Sequence, residues 1–262
     1  LTACWLITGL LAGAASIYQG HGEPLYYWGL SYAYVFTFVL LGSICERDVP
    51  GPRVQTRIPR NPLLRALAFL FYSGSAGGVL WCLLMAGLSF GVSVLVLRVT
   101  DGAGWSSFVS GGLAENDSLI NTLAFCAYMV GYAMLAVMVV RYLGRGKIKT
   151  EASLAVALAL MAAGCILPVL ISFFLDPTGD WGNGYLWRIG NPISVMTDSS
   201  KQYVMLGFSV IFAGVCFVGC LPWISKQIRG FTPLPRPAMH ETPSIATDPQ
   251  GLAAADNTEV LR

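Results

Sequence analysis

The sequence predicts an all-helical bundle that crosses a membrane several times, and three observations predict it. Hydrophobic residues make up 55% of the 262 residues and charged residues 11%, whereas about 25% of the residues of a soluble domain are charged. The apolar residues gather in six segments, and a helix needs roughly 20 such residues to cross the hydrocarbon. None of the segments alternates with a period of two, so helices rather than barrel strands satisfy their backbone hydrogen bonds.

The six apolar segments divide the chain into membrane spans, connecting loops and a tail. The spans are predicted at residues 2–18, 26–45, 77–98, 119–140, 153–174 and 203–224. The resulting regions are 1–45 (two spans), 46–76 (a basic strap and a short helix), 77–224 (four spans, with outer loops 99–118 and 175–202) and 225–262 (a tail). The tail is expected to be disordered, because its composition cannot bury enough surface to offset the ordering entropy.

Three details within these regions follow from local composition. Residues 63–72 are too short to cross the hydrocarbon, so they form an interfacial or partly inserted helix, or else extend the third span across a glycine kink. Pro168, with Gly164 beside it, is expected to kink the fifth span. Small residues at helical spacing predict close helix packing, and these are Gly87 and Gly91, and Gly207 and Gly214.

Basic residues are distributed unequally between the two sides of the predicted bundle. Thirteen of the 16 Lys and Arg residues lie in the strap and its following helix, the loop 141–151 and the tail. The other three are Arg98, Arg188 and Lys201. Because cytoplasmic loops carry the excess of basic residues, the basic side is expected to be cytoplasmic. Six spans then place both ends inside, and we expect a multi-pass protein of the cell (plasma or inner) membrane.

The strap "ERDVPGPRVQTRIPRNP" at 46–62 places arginines between two apolar segments. Its prolines forbid a continuous helix. The charge keeps the strap in the cytoplasm, where each arginine near the surface should gain about 1 kcal/mol from anionic lipid headgroups. Docking of a partner protein is the second interpretation. The candidate docking residues are Arg53, Arg57, Arg60 and Arg65.

The outer loop 175–202 combines aromatic residues with glycines. Aromatic residues at this density predict a short helix or re-entrant segment at the outer surface that includes Trp181 and Trp187, or alternatively an aromatic belt around an ordinary loop. Asn191 and Pro192 are expected to end the segment, because the residue before a proline disfavours helix.

The residue types that carry catalysis are sparse. The only histidines are His21 and His240, neither with partners at metal-ligand spacing, and the seven cysteines form no CxxC pair. No protease, hydrolase or nucleotide-binding motif occurs. We therefore expect no enzyme activity, cofactor, metal or disulfide, and the small net charge of +2 does not indicate nucleic acid as a partner.

The layout resembles the membrane subunit of an ABC-2 type transporter, the exporter-permease family. The matching pieces are "RDVPGPRVQTRIPRNPLLRALAF" at 47–69 and "DWGNGYLWRIGNPISVM" at 180–196, and the resemblance covers about residues 26–224. It implies six spans with cytoplasmic ends, a cytosolic element between spans two and three that touches a separate ATPase, and re-entrant outer helices between spans five and six. It also implies that an amino-terminal part precedes this sequence.

The first functional hypothesis is therefore a permease subunit that works in the bilayer with a separate ATP-binding subunit, as a homo- or heterodimer. The second is a non-catalytic membrane scaffold or assembly protein, which predicts no stimulated ATPase activity. An energy-independent transporter or channel is disfavoured, because the spans contain few polar residues to line a pore. The sequence names neither a substrate nor a direction of transport.

Overall fold

The computed structural model describes residues 2–19, 23–46, 48, 51–71, 74–101, 114–144, 150–175, 190–197 and 202–233. Within these ranges the regular structure is helical and includes no strand, which confirms the all-helical prediction. The helices are α1 (Thr2–Gln19), α2 (Glu23–Cys45), α3 (Pro52–Gln55), α4 (Pro62–Phe71), α5 (Ser75–Asp101), α6 (Ala114–Met138), α7 (Ala152–Leu175), α8 (Pro192–Thr197) and α9 (Gln202–Gly230). A π-helical turn, Val139–Leu143, continues α6.

Five of the described helices are long and apolar enough to cross a membrane. They are α2, α5, α6, α7 and α9, and their apolar stretches contain 19 to 28 residues. The apolar stretch of α1, Ala3–Tyr18, is shorter. By length and composition these helices are those of a multi-pass membrane protein.

The surface of the bundle is apolar. Only 6% of the apolar stretch of α7 is buried against the rest of the chain. Large side chains such as Ile166, Leu170 and Phe174 are about half exposed or more. Because apolar surface costs roughly 25 cal/mol per Å² in water, these side chains require lipid or a protein partner around them.

Helix α6 lies at the centre of the bundle, with 67% of its apolar stretch buried. It runs parallel to α9. Gly131 lies against the ring of Phe212, and further along both helices the Cys220 thiol donates a hydrogen bond to the carbonyl of Met134 (3.4 Å). The two helices are parallel because α7, which lies between them in the sequence, runs in the opposite direction.

Helices α1, α2 and α5 complete the other side of the core. Helices α2 and α5 are antiparallel, since Ser43 contacts Gly78 near one end and Trp28 packs against Val92 near the other. Helix α1 attaches through Trp5, whose ring stacks on Trp28 with centroids 5.6 Å apart. Consequently the end of α2, the start of α5 and the ends of α6 and α9 meet at one end of the bundle. We call it the basic end, because the three basic regions of the sequence (the strap, the loop 141–151 and the tail) begin at these helix ends.

The predicted small-residue contacts are wrong in position. A Cβ atom added at Gly87, Gly91, Gly207 or Gly214 would meet nothing within 4 Å. The close approaches occur at other glycines, among them Gly131, where a Cβ atom would overlap the Phe212 ring. Spacing alone could not distinguish them, because which face of a helix meets a neighbour depends on tertiary packing.

Residues 62–71 form a separate helix, α4, that packs against α5, which agrees with the first of the two alternatives for residues 63–72 and not with an extension of the third span. One predicted boundary changes. Helix α9 continues to Gly230, so residues 225–230 are helical rather than part of a disordered tail. The helix extends because Trp223 and Gln227 are buried at the basic end. The tail from residue 234 onward lies outside the described residues.

We predict that Gly131→Ala destabilises the protein and that Gly207→Ala does not. The added methyl group at position 131 must displace the Phe212 ring, and such overpacking costs about 1–3 kcal/mol. At position 207 it meets no neighbour and removes a helical glycine, which is worth roughly 0.5–1 kcal/mol in the favourable direction. Unfolding in mild detergent, followed by circular dichroism, measures both. Equal stability of the two variants would contradict the assigned α6–α9 contact.

Candidate functional site

The strap returns the chain from α2 to α4 in short segments, as its prolines predict. Helix α3 is only four residues long, and a turn follows it in which the Arg57 amide donates to the Val54 carbonyl (2.9 Å). Asn61 caps α4, since its side-chain oxygen accepts a hydrogen bond from the Leu63 amide (3.0 Å). Pro62 occupies the first helical position, where its missing N–H costs nothing.

The four candidate docking arginines separate into two environments. Arg53, Arg57 and Arg60 are exposed on the strap. Arg65 is half-buried on α4 and lines a groove that also contains Arg229 from the end of α9. The three strap arginines therefore lie on one exposed segment, whereas Arg65 belongs to a different surface.

One acidic residue of the strap, Asp48, fastens the strap to the bundle. Its carboxylate accepts hydrogen bonds from the Ser75 hydroxyl (2.7 Å), the Gln227 amide (2.5 Å) and the Trp223 indole (3.4 Å). The other carboxylate oxygen forms a salt bridge with Arg141. We call these five residues the Asp48 cluster.

Further contacts tie the members of the Asp48 cluster to one another. The Gln227 side chain donates to the Ser75 hydroxyl (2.9 Å) and accepts from the Ala76 amide (3.1 Å). This second bond satisfies one of the backbone donors that the first turn of α5 leaves without a helical partner. The Asp48 cluster thus connects the strap with the start of α5 and the end of α9.

The cation of the cluster is supplied by the π-helical turn at the end of α6. Arg141 lies inside this turn, in which the Gly144 amide donates to the Val139 carbonyl (3.0 Å). Its side chain is 10% exposed, and its guanidinium carbon lies 4.7 Å from the centroid of the Trp223 ring, a cation–π contact. A buried guanidinium needs such partners, because removing its charge from water costs several kcal/mol.

Sequence reasoning missed this cluster. It assigned Arg141 to a basic loop, and the structure corrects this, because the residue ends a helix and is buried. Gln227 was assigned to the tail, and Asp48 was overlooked. The available signals were the lone aspartate among the arginines of the strap and the i, i+4 spacing of Trp223 and Gln227 on one helix face.

The described part of the outer segment, residues 190–197, enters the bundle between α6 and α7. The Tyr132 hydroxyl donates to the Gly190 carbonyl (2.5 Å), and the Gly190 amide donates to the Tyr128 hydroxyl (3.3 Å). Gly190 has φ +92°, a conformation that favours glycine. Tyr132 lies midway along its apolar stretch, Ile120–Leu143, so the segment reaches the middle of the bundle.

Asn191 and Pro192 begin a helix, and their expected role at the end of the preceding segment stays a prediction, because residues 176–189 lie outside the described residues. The Asn191 side chain accepts hydrogen bonds from the Ile193 amide (2.9 Å) and the Cys165 thiol (3.3 Å). Pro192 is fully buried in the first turn of α8. The residue before a proline is not helical, but it can still cap the helix that follows. Trp181 and Trp187 lie outside the described residues.

The segment has room because Gly164 faces it from α7. A Cβ atom at Gly164 would overlap the Tyr132 hydroxyl and lie 3.1 Å from the Gly190 carbonyl oxygen. Pro168 lies inside α7, which continues on both sides of it, and proline cannot donate to the carbonyl four residues earlier, that of Gly164. Gly164 therefore provides space for the outer segment, and whether Pro168 kinks the helix stays a prediction.

A small cavity between α2, α5 and α6 contains buried polar groups. The Trp28 indole N–H is buried there and forms no hydrogen bond within the described structure, and the Tyr32 and Ser89 hydroxyls lie close to each other. The cavity volume is about 30 Å³, enough for one or two water molecules. Water bound there would satisfy these groups.

Residues suited to metal or redox chemistry do not gather in the described part of the chain. No group of three His, Cys, Asp or Glu residues there could hold a metal ion. All seven cysteines are free, and four of them are buried.

We predict that Asp48→Ala and Arg141→Met each destabilise the protein, and that the double variant loses less than the sum of the two. Asp48→Ala leaves the Arg141 guanidinium buried without its counter-charge, at a cost of about 1–3 kcal/mol, and Arg141→Met leaves Asp48, whose side chain is 34% exposed, without its cation at a smaller cost. The double change removes both charges, so a coupling of about 0.5–3 kcal/mol is expected. Unfolding in detergent gives all four values. Glu46→Ala, which removes an exposed acid nearby, serves as the control and should change stability by less than about 0.5 kcal/mol. Strict additivity would show that the salt bridge contributes nothing.

We also predict that Gly164→Ala displaces the outer segment and exposes Cys165. The methyl group would occupy the position of the Tyr132 hydroxyl, so the bond to Gly190 must break. The alkylation rate of Cys165, followed by peptide mass spectrometry with a membrane-permeant maleimide, should rise several-fold, as expected for a locally opened site. Gly214→Ala, which adds the same group in open space, should leave the rate unchanged. An unchanged rate in the Gly164 variant would contradict the position of the segment.

Comparisons with protein families, with curated proteins and with solved structures find no match for this chain.

Proposed function

We propose that the chain is the membrane-spanning permease subunit of an ATP-driven transporter, resembling the ABC-2 type, and that a separate soluble ATPase docks on the strap. The observation that carries the proposal is the pairing of an exposed basic strap with the Asp48 cluster. The strap offers Arg53, Arg57 and Arg60 to a partner, and Asp48 joins the same strap to three helices.

This arrangement lets a force on the strap reach the spans. A partner that pulls or tilts the strap moves Asp48, and Asp48 holds Ser75 of α5, Arg141 after α6 and Gln227 of α9. A movement at the strap would therefore change the packing of α6, the most buried helix, against its neighbours. Packed interfaces have a few discrete arrangements, so a small shift at one position can become a larger movement of whole helices.

Several finer features belong to the same proposal. The basic end faces the cytoplasm of a cell membrane, α1 serves as a sixth span, and both ends of the chain lie inside. Two permease subunits pair, so that the apolar surface of a helix such as α7 is covered partly by lipid and partly by the second subunit. The outer segment at residues 190–197 closes the path from the other side.

Charge reversal on the strap tests the proposal. Arg57→Glu with Arg60→Glu should abolish copurification of a stoichiometric ATPase from native membranes, because both side chains are exposed at the proposed contact. Like-charge contacts at an interface cost several kcal/mol, so at least a hundredfold loss of affinity is expected. Affinity purification in mild detergent, mass spectrometry of bound proteins and an ATP hydrolysis assay measure it.

Arg65→Glu with Arg229→Glu is the matched control. It reverses the same number of charges at the same end of the bundle but outside the strap, so it should retain the ATPase. If both variants lose the ATPase equally, net positive charge holds the ATPase and the strap is not a specific docking site. A wild-type preparation without any ATPase would overturn the permease proposal and favour a membrane scaffold, whose copurifying proteins would be other membrane proteins.

A further inference from the structure

A groove at the basic end lies between α4, α5 and the end of α9. Its volume is about 520 Å³, within the range of sites that hold small organic ligands. It is lined by Arg65 and Phe69 of α4, Leu80 of α5, and Ile228, Arg229 and Phe231 at the end of α9. The cluster described above uses none of these side chains.

Most residues that line the groove are apolar, and two of them form an aromatic contact. The rings of Phe69 and Phe231 meet edge to face, with centroids 5.3 Å apart and planes inclined by 73°. Phe231 is buried although it follows the last residue of α9, so this contact fixes the chain beyond the helix. Leu80 and Ile228 extend the same surface.

The groove carries positive charge without a matching acid. Arg65 and Arg229 both line it, and neither forms a salt bridge with any residue that the structure describes. No acidic residue is among those that line the groove in the described part of the chain. Two arginines and several apolar side chains in one groove are complementary to a phosphate that carries a hydrocarbon chain.

The position of the groove selects a lipid over a soluble ligand. Helix α4 exposes an apolar face beside it, formed by Leu63, Leu64, Leu67 and Phe71, each more than half exposed. On the other side, the apolar stretch of α9 ends at Gly230, between Arg229 and Phe231, which line the groove. An amphipathic helix with such a face lies at the boundary between headgroups and acyl chains.

We propose that this groove binds one anionic glycerophospholipid. Its headgroup phosphate lies between Arg65 and Arg229, and an acyl chain follows Phe69 and Leu80 and continues into the bilayer. The bound lipid fixes α4 against the end of α9. The proposal is independent of the transporter function, because it uses neither the strap arginines nor a partner protein.

Native mass spectrometry of the purified full chain tests the proposal, with phosphatidylglycerol and phosphatidylcholine titrated separately. The wild type should bind one phosphatidylglycerol at least tenfold more tightly than phosphatidylcholine. Arg65→Glu with Arg229→Glu should remove that preference, a loss of at least roughly tenfold, since each arginine contributes to anionic lipid binding. The strap variant Arg57→Glu with Arg60→Glu, matched in charge, should bind as the wild type does.

A second variant tests the groove without changing its charge. Ala66 lines the groove and is exposed, so Ala66→Trp fills the cavity while both arginines remain. It should also lose the bound lipid. Retention of the lipid by this variant would overturn the assigned site.

Three other outcomes would overturn the proposal. Equal losses in the groove and strap variants would indicate attraction by net charge alone. Equal affinity for both lipids in the wild type would indicate a merely apolar groove. Displacement of phosphatidylglycerol by inorganic phosphate at similar concentration would indicate a soluble anion instead. The two proposals can fail separately. Loss of ATPase binding with intact lipid binding concerns the strap, and loss of lipid binding with intact ATPase binding concerns the groove.

Discussion

The salt bridge between Arg141 and Asp48 is the interaction on which the basic end of the bundle depends. A guanidinium that is 10% exposed at the end of the central helix requires a counter-charge, and the strap supplies it. Once Asp48 is held there, its carboxylate also accepts hydrogen bonds from Ser75 and Gln227. One ionic contact thereby sets how the strap, α5, α6 and α9 meet, although they are distant in sequence.

A second polar contact acts at mid-depth and involves the same central helix. Tyr132 bonds the backbone of Gly190, and Gly164 leaves the space that this bond requires. In a membrane, non-helical backbone is tolerated only where protein or a water-filled cavity satisfies it. Helix α6 therefore contacts the strap at one end and the outer segment at its middle. A rotation of α6 would disturb both contacts, which gives the proposed permease a physical connection between its two sides.

The arginines of the basic end divide into three roles according to their surroundings. Arg141 is buried in the Asp48 cluster, where it holds helices together. Arg57 and its neighbours on the strap are exposed and suit a protein partner. Arg65 and Arg229 line a largely apolar groove, the site proposed above for a lipid phosphate. The positive-inside rule counts these residues as equivalent, but burial and neighbours determine what each can bind.

The sequence by itself determined the helical class, the position of five apolar helices and the broken course of the strap. These properties depend on local composition and on proline chemistry, which act over a few residues. Only the tertiary structure decided that Asp48, Arg141 and Gln227 meet, and that Gly164 rather than Gly207 provides a close contact. Such contacts join residues far apart in the chain. They depend on which face each helix turns toward its neighbours, and apolar helices in a membrane carry little sequence signal for that choice, because lipid and protein interior are equally apolar.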